Sequence, residues 1–164
     1  MKMRQILPII IYCFLGIGLF GCAINQNTDE SSLKRKIVNP WTWQENRGFV
    51  QGHEVTNAKR MLVTAGQVSV DADGNLLHPG DMEKQISRVL DNMETLLSQS
   101  GFKLSDVVRF TYFTTDVQAF TKAAPNVLID RLDQAGCKPA TSLIGVKELF
   151  HSECVVEIEA IAVQ

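Results

Sequence analysis

The chain has 164 residues, of which 45% are hydrophobic, 21% charged and 7% aromatic. That length and apolar fraction suit one folded domain and exclude a disordered, fibrous or multidomain chain. Sixteen Lys+Arg against 18 Asp+Glu give a formal charge of -2, without the basic footprint of a nucleic-acid binder; no apolar run of ~20 residues is present to cross a bilayer.

The N-terminus carries Lys2 and Arg4, then an apolar run from Ile6 to Phe20 broken by Pro8 and two glycines, then Gly21 and Cys22. A basic start followed by a short apolar stretch predicts an export signal over residues 1–21. Leu19-Phe20-Gly21-Cys22 resembles the bacterial lipobox, in which a small residue precedes a cysteine that receives diacylglycerol after cleavage; Phe20 is bulkier than that pattern favours. The expectation is a Cys22-lipidated protein of the cell envelope, held to a membrane and facing the periplasm or the exterior. An uncleaved anchor and a cytoplasmic protein with a different start remain the alternatives.

Residues 22–36 then form a polar tether rich in Asn, Gln, Asp, Glu, Ser and Lys, with almost nothing to bury. Removal of residues 1–21 deletes two basic residues and no acids, so the processed chain stands near -4 by the same count. Cys13 leaves with the signal and Cys22 takes the lipid. Cys137 and Cys154 remain, too few for a disulfide framework and without metal-ligand spacing. One bridge between them stays open; two buried thiols are the preferred reading.

The domain is expected over residues 37–164. Met61–Ala65 is a β-rich run ending at Gly66, Val68–Val70 is extended, and Asp71-Ala72-Asp73-Gly74-Asn75 is a turn. Asp81 is placed to cap a helix with Glu83 in its first turn. Met82, Ile86, Val89, Leu90, Met93, Leu96 and Leu97 recur at steps of three and four, drawing one apolar stripe that ends near Gly101. Val107–Thr115 alternates and reads as a long strand. A second helix is predicted over Val127–Gln134, with Pro125 near its first turn and Gly136 closing it. Strands at Ala140–Val146 and Cys154–Val163 complete an α+β sandwich: a mixed β-sheet with two helices on one face.

The last strand carries an assembly argument. Val156, Ile158, Ala160 and Ala162 point one way, while Val155, Glu157, Glu159, Ile161 and Val163 point the other. Both faces hold large aliphatics, yet two helices cover only one. A second copy of the chain is the simplest cover for the other.

Phe49-Val50-Gln51-Gly52, Thr64-Ala65-Gly66-Gln67, Asp71-x-Asp73-Gly74, Asp91-Asn92-Met93, Asp106-Val107-Val108, Pro139-Ala140-Thr141-Ser142 and Val156-Glu157-Ile158-Glu159-Ala160 together resemble the Rid (YjgF-like, reactive intermediate deaminase) family, older members of which were called L-PSP endoribonucleases. The resemblance spans about residues 45–164. It implies a chorismate-mutase-like fold and a homotrimer with small-molecule clefts between subunits, where active members hydrolyse 2-imino acids or their enamines to 2-keto acids and ammonia.

By the same resemblance Glu157 is the water-positioning, catalytic carboxylate. Phe49, Ala65, Gly66, Thr141 and Ser142 are the substrate-binding residues. Thr141 stands where the family has an arginine, Phe49 where it has a tyrosine, and Leu143 where it has a cysteine. A threonine hydroxyl offers one neutral hydrogen bond and no positive fork. The lost charge-assisted contact is worth roughly 1.5–3 kcal/mol, about tenfold to more than a hundredfold in carboxylate affinity. A ligand less anionic than a 2-imino acid is therefore expected, either hydrolysed with Glu157 or simply bound by a non-catalytic sensing module. A ribonuclease is the weakest reading, and nucleic acid is not an expected partner.

Other residues have plainer readings. Glu157 and Glu159 share a strand face as a carboxylate pair or as ion-pairing groups at a subunit boundary. Arg109 is expected in a structural salt bridge rather than as a replacement cation. His53, His78 and His151 are scattered surface or loop residues, and Trp41 and Trp43 are expected to pin the N-terminal segment onto the domain. No cofactor or metal is expected, since no phosphate-cradling glycine loop, zinc pattern or nucleophile elbow is present.

Overall fold

The structure is a computed structural model that describes residues 31–164. The expected signal, the lipidation site Cys22 and the first part of the tether lie outside the described residues. The elements in chain order are β1 (Lys34–Val38), β2 (Gly52–Thr56), β3 (Met61–Val63), α1 (Met82–Gln99), β4 (Val107–Thr114), α2 (Val117–Ala124), α3 (Asp130–Gln134), β5 (Ala140–Gly145) and β6 (Val156–Val163).

Helix α1 forms where the apolar stripe required it. The Asp81 side chain accepts from the Lys84 N–H at 3.1 Å, so the cap satisfies one of the free donors of the first turn. Ile86, Val89, Leu90, Met93 and Leu97 are fully buried, each contributing about 1.5–3 kcal/mol by leaving water. The helix closes at Gly101, whose positive φ lets the Phe102 N–H reach back to the Leu97 carbonyl at 2.9 Å. Gly136 closes α3 in the same way, with the Cys137 N–H on the Leu132 carbonyl at 2.8 Å.

The second helical segment departs from the sequence expectation. It begins at Val117 rather than Val127, capped by Asp116, whose carboxylate accepts from the Gln118 and Ala119 N–H groups at 2.9 Å each. Pro125 does not start the helix but sits inside it. Proline has no N–H to give to the preceding turn, and the backbone answers by widening into a π turn over Pro125–Ile129. There the Asp130 N–H bonds the Pro125 carbonyl, five residues back.

The main sheet has the order β3-β6-β4-β5. Strand β6 is antiparallel to β3 and β4, whereas β4 and β5 are parallel; the α2–α3 segment is the crossover that a parallel pair needs. Mixed sheet and one-sided helices agree with the expected α+β class. On β6, Val156, Ile158, Ala160 and Ala162 are buried against the helix layer, while Glu157, Glu159 and Ile161 are half-buried on the opposite face. Arg109, Thr111 and Phe113 of β4 share that second face. No helix of the described residues covers it, and Met61 and Val63 on β3 are 67% and 62% exposed.

A separate antiparallel hairpin joins β1 to β2, so residues 34–36, assigned from sequence to the tether, are strand. Every residue of β1 is exposed, which left no apolar alternation to read. Trp41 and Trp43 are 63% and 59% exposed, so they do not pin this region as expected. The fully buried side chain here is Gln44, whose Oε1 accepts from Gln51 Nε2 at 2.8 Å. Cys137 and Cys154 are both buried free thiols, which closes the disulfide alternative.

Candidate functional site

Strand β6 is positioned at its start by one buried amide. Gln85 on α1 is fully buried; its Nε2 donates to the carbonyls of His78 and Glu153 at 2.9 and 2.7 Å, and its Oε1 accepts from the Val155 N–H at 2.9 Å. All its hydrogen-bonding capacity that matters is met, so the amide stabilises rather than penalises the core. Two residues on stands Glu157.

The segment after β3 runs beside β6 and is attached on both sides of Glu157. The Thr64 N–H reaches the Ala160 carbonyl at 3.0 Å, and the Ala160 N–H reaches Thr64 Oγ1 at 2.9 Å. Gln67 and Ile158 exchange bonds of 2.8 and 3.0 Å. Between these attachments Ala65 and Gly66 pass the Glu157 side chain. A Cβ on Gly66 would collide with Glu157 Oε1 and lie 2.5 Å from its Cδ, so only glycine lets the carboxylate rest against the backbone. From α1, Asn92 Nδ2 holds the Val68 and Val70 carbonyls at 3.0 Å each, and Arg88 Nε also holds that of Val70.

Burial, and secondarily the charge of Glu159, push the Glu157 carboxyl above its ordinary range. Among the described residues none donates a hydrogen bond to it or pairs with its charge. The result is a constrained carboxylate with free lone pairs, suited to orient a water and accept its proton. It faces the helix-free side of the sheet.

A second feature lies on the other side. A groove of about 390 Å³ is walled by Phe49, Tyr112, Leu128, Thr141 and Leu143, with Arg47 at its lining. Thr141 pairs in register with Phe110 and Leu143 with Tyr112, which puts both on the helix face. Tyr112 is buried, and burial raises its phenol well above the usual range. Gly48, at φ +71°, brings its backbone so near the π turn that a Cβ would be 2.7 Å from Ile129 Cγ2. That close approach sets Phe49 against the groove.

Two sequence-derived assignments change. Ser142 pairs with Thr111, on the face opposite Thr141, and its Oγ accepts from Arg109 Nη2 at 2.8 Å. Arg109 makes this bond instead of the expected salt bridge; the ion pairs among the described residues join Lys36–Glu54, Lys84–Asp81 and Arg131 with Asp91 and Glu94. Ala65 is exposed beside Gly66. The structure thus brings Gly66 to Glu157 and Phe49 to Thr141, but sets these two pairs on opposite sheet faces of one chain. Arg47 and Tyr112 were missed from sequence; Arg47 lies two residues before the Phe49 motif, and its position was the only clue. His53 lies on β2 and bonds the Lys138 carbonyl at 2.7 Å, while a His151 ring nitrogen accepts from the Glu153 N–H at 3.2 Å. No group of three His, Cys, Asp or Glu residues able to hold a metal occurs among the described residues.

Comparison with known proteins gives this arrangement a context. The family model described as Endoribonuclease L-PSP matches residues 46–164. The 2-iminobutanoate/2-iminopropanoate deaminase of Escherichia coli K12 is 30% identical over 116 residues, covering 71% of this chain and 87% of that protein. A protein of unknown function of the conserved Rid family from Yersinia pestis superposes with a TM-score of 0.70 at 30% identity, over 79% of this chain and 98% of that one. Escherichia coli TdcF, solved with bound serine, superposes with a TM-score of 0.58 at 28% identity, over 71% of this chain and 87% of that one. With a match that runs through both halves of the candidate site to the end of the last strand, the chain belongs to the Rid (YjgF-like) family, whose family model bears the older endoribonuclease L-PSP description.

Proposed function

We propose that the protein is an envelope-anchored homotrimer that hydrolyses reactive imines or enamines in clefts between its subunits. The Glu157 carboxylate, held against Gly66 without a partner among the described residues, carries this reading. In the reaction a water aligned by Glu157 gives up a proton to it as the oxygen bonds to the C=N carbon, and the C=N electron pair moves to nitrogen, which is protonated. The hydroxyl proton of the resulting carbinolamine then passes to the amine nitrogen as the C–N bond breaks and the C=O bond forms, which releases ammonia and leaves the carbonyl compound. The Escherichia coli relative, by its name a 2-iminobutanoate/2-iminopropanoate deaminase, belongs to chemistry of this class.

The assembly reading draws support from the placement of the half-sites. Glu157 and Thr141 are on opposite faces of one sheet, so a cleft that uses both has to take them from different copies. The helix-free face, with Met61 and Val63 exposed, is a surface for that contact. The anchor reading rests on the lipobox-like Leu19–Cys22, and a Cys22→Ser variant that still matures normally would defeat it.

A non-catalytic binding module is the second reading. Thr141 is neutral and Ser142 is occupied by Arg109, so β5 itself supplies no positive fork for a carboxylate. A coupled assay that generates imines in situ from several amino acids separates the two. Accelerated release of keto acid that disappears in Glu157→Ala supports the hydrolase; no acceleration with any imine leaves the binding module.

A further inference from the structure

Charge is placed unevenly along this chain. Residues 34–60 hold six Lys or Arg against two Glu, whereas residues 61–164 hold eight Lys or Arg against 14 Asp or Glu. We infer that the β1–β2 hairpin, with the segment that follows β1, is a docking surface for an anionic phospholipid bilayer. This goes beyond the imine chemistry and rests only on the anchored half of the reading above.

One end of the hairpin gathers positive charge. Lys34, Lys36 and Val38 share the outer face of β1, because Arg35 turns toward the domain, where its Nη1 donates to the Ser105 carbonyl at 2.6 Å. Lys36 is paired with the exposed Glu54 at 3.0 Å. Lys34 forms no ion pair among the described residues, nor does Lys59, which follows three residues after Thr56, the register partner of Lys34.

The other end is apolar. Ile37, Val38, Trp41 and Trp43 are all exposed, on a backbone held by its own bonds. The Gln51 N–H reaches Asn39 Oδ1 at 2.8 Å, and the Arg47 N–H reaches the carbonyl of buried Gln44 at 2.9 Å. The Arg47 guanidinium carbon lies 5.8 Å from the centroid of the Trp43 ring. Indole rings beside a cationic side chain suit the headgroup boundary of a bilayer, where the ring leaves water and the charge stays among phosphates.

A bilayer fits this surface better than the other candidates. Cys22 precedes Lys34 by 12 residues, a span of at most about 40 Å. A lipid on Cys22 keeps the hairpin, itself about 17 Å long, within reach of the membrane. The basic end then enters the field of anionic headgroups, which decays over about 10 Å, while the acidic remainder of the domain is turned away. A second copy presenting the same hairpin would oppose it with like charge. A nucleic acid would use the charge and leave Ile37 and Val38 in water.

The test uses the protein's own fluorescence, since Trp41 and Trp43 are its two tryptophans. The full chain, made in a bacterial host and purified in detergent, is returned to vesicles of acyl-brominated phosphatidylcholine with or without about one third phosphatidylglycerol. Flotation shows whether it stays with them. Tryptophan emission should be quenched on the anionic vesicles and recover in about 0.5 M salt. A Lys34→Glu/Lys59→Glu double variant, changed at two exposed positions, should still float but lower the docked-to-free ratio at least about tenfold. Unquenched emission from a floating wild type, including emission already blue-shifted because another copy covers the rings, overturns the docking surface and leaves the anchor standing. Quenching that is equal on neutral vesicles and survives the double variant overturns the anionic partner. A wild type that fails to float overturns the anchored reading and this inference with it.

Discussion

Gly66 and Glu157 share one volume: the space a side chain would take at position 66 is filled by the Glu157 carboxylate. Gly66 has no positive φ among the glycines that do, so the requirement is room and not backbone conformation. The colliding atoms all belong to the flexible end of Glu157, which moves more cheaply than backbone does. Gly66→Ala should therefore displace the carboxylate without unfolding the chain, shifting stability by no more than about 1 kcal/mol. Keto-acid release should fall to the level of Glu157→Ala. Thermal melts beside the coupled assay check this; full activity in a folded Gly66→Ala protein would mean the carboxylate has another productive position.

The raised Glu157 carboxyl has a pH signature in both rate and stability. Catalysis that needs the ionised form should climb as pH rises through the raised value, above the ordinary glutamate range. Stability should move the other way. The unfolded chain releases this proton at the ordinary glutamate value of 4.5, whereas the folded chain holds it to higher pH. Between those two points the native state binds more protons, and stability falls with rising pH. Glu157→Gln removes the ionisation, so denaturant melts across pH should show a flatter profile from about 4.5 upward, with the variant gaining on the wild type above that window. Parallel wild-type and Glu157→Gln profiles would show that the carboxyl is not perturbed.

What could be read from the sequence was what local periodicity encodes. The apolar steps from Ile86 to Leu97 gave α1 with its cap, and the alternation from Val156 to Ala162 gave the buried face of β6. Helix α2 carries its own local signal: Asp116 as a cap, then Phe120, Ala123 and Ala124 at helical spacing. Pro125 has the local character of a helix start, and no local rule announces that a π turn will absorb it. Strand β1 had no signal, because a fully exposed hairpin strand needs no alternation. For the site, Gly66 and Glu157 were legible through the family-like motifs. Their separation from Thr141 by the thickness of a sheet depends on the parallel register of β4 with β5. So does the Arg109–Ser142 bond, and such pairing joins residues too far apart in the chain for spacing to reveal.

The two thiols of the described residues should behave as core groups. Burial pushes the Cys137 thiol up to about 12, and Cys154 is raised by burial and by the nearby Glu157 charge. Reaction with a thiol reagent requires the thiolate. At neutral pH the native protein should therefore leave Cys137 and Cys154 unmodified over the time in which a denatured sample reacts at both. Mass spectrometry after timed alkylation reads this directly. Rapid native labelling of Cys154 would reveal an opening near the start of β6, next to the carboxylate that begins the proposed chemistry.

The helix-free sheet face gives the sharpest test of assembly. Val63 pairs in register with Ile161 and is largely exposed in the single chain, so a charge there costs an isolated subunit within about 0.5 kcal/mol; lysine is in any case a common residue on an edge strand. Buried at a seam between copies, the same ammonium is expensive to desolvate without a partner. Val63→Lys should thus leave a folded subunit with normal circular dichroism that sediments as a monomer where the wild type sediments as a trimer. Because the Phe49–Thr141 and Gly66–Glu157 pairs lie on opposite faces of one sheet, the monomer should also lose keto-acid release although every site residue is present. A wild-type protein that sediments as a monomer and still turns over imines would require a single chain to bring Thr141 and Glu157 together, which the sheet between them prevents.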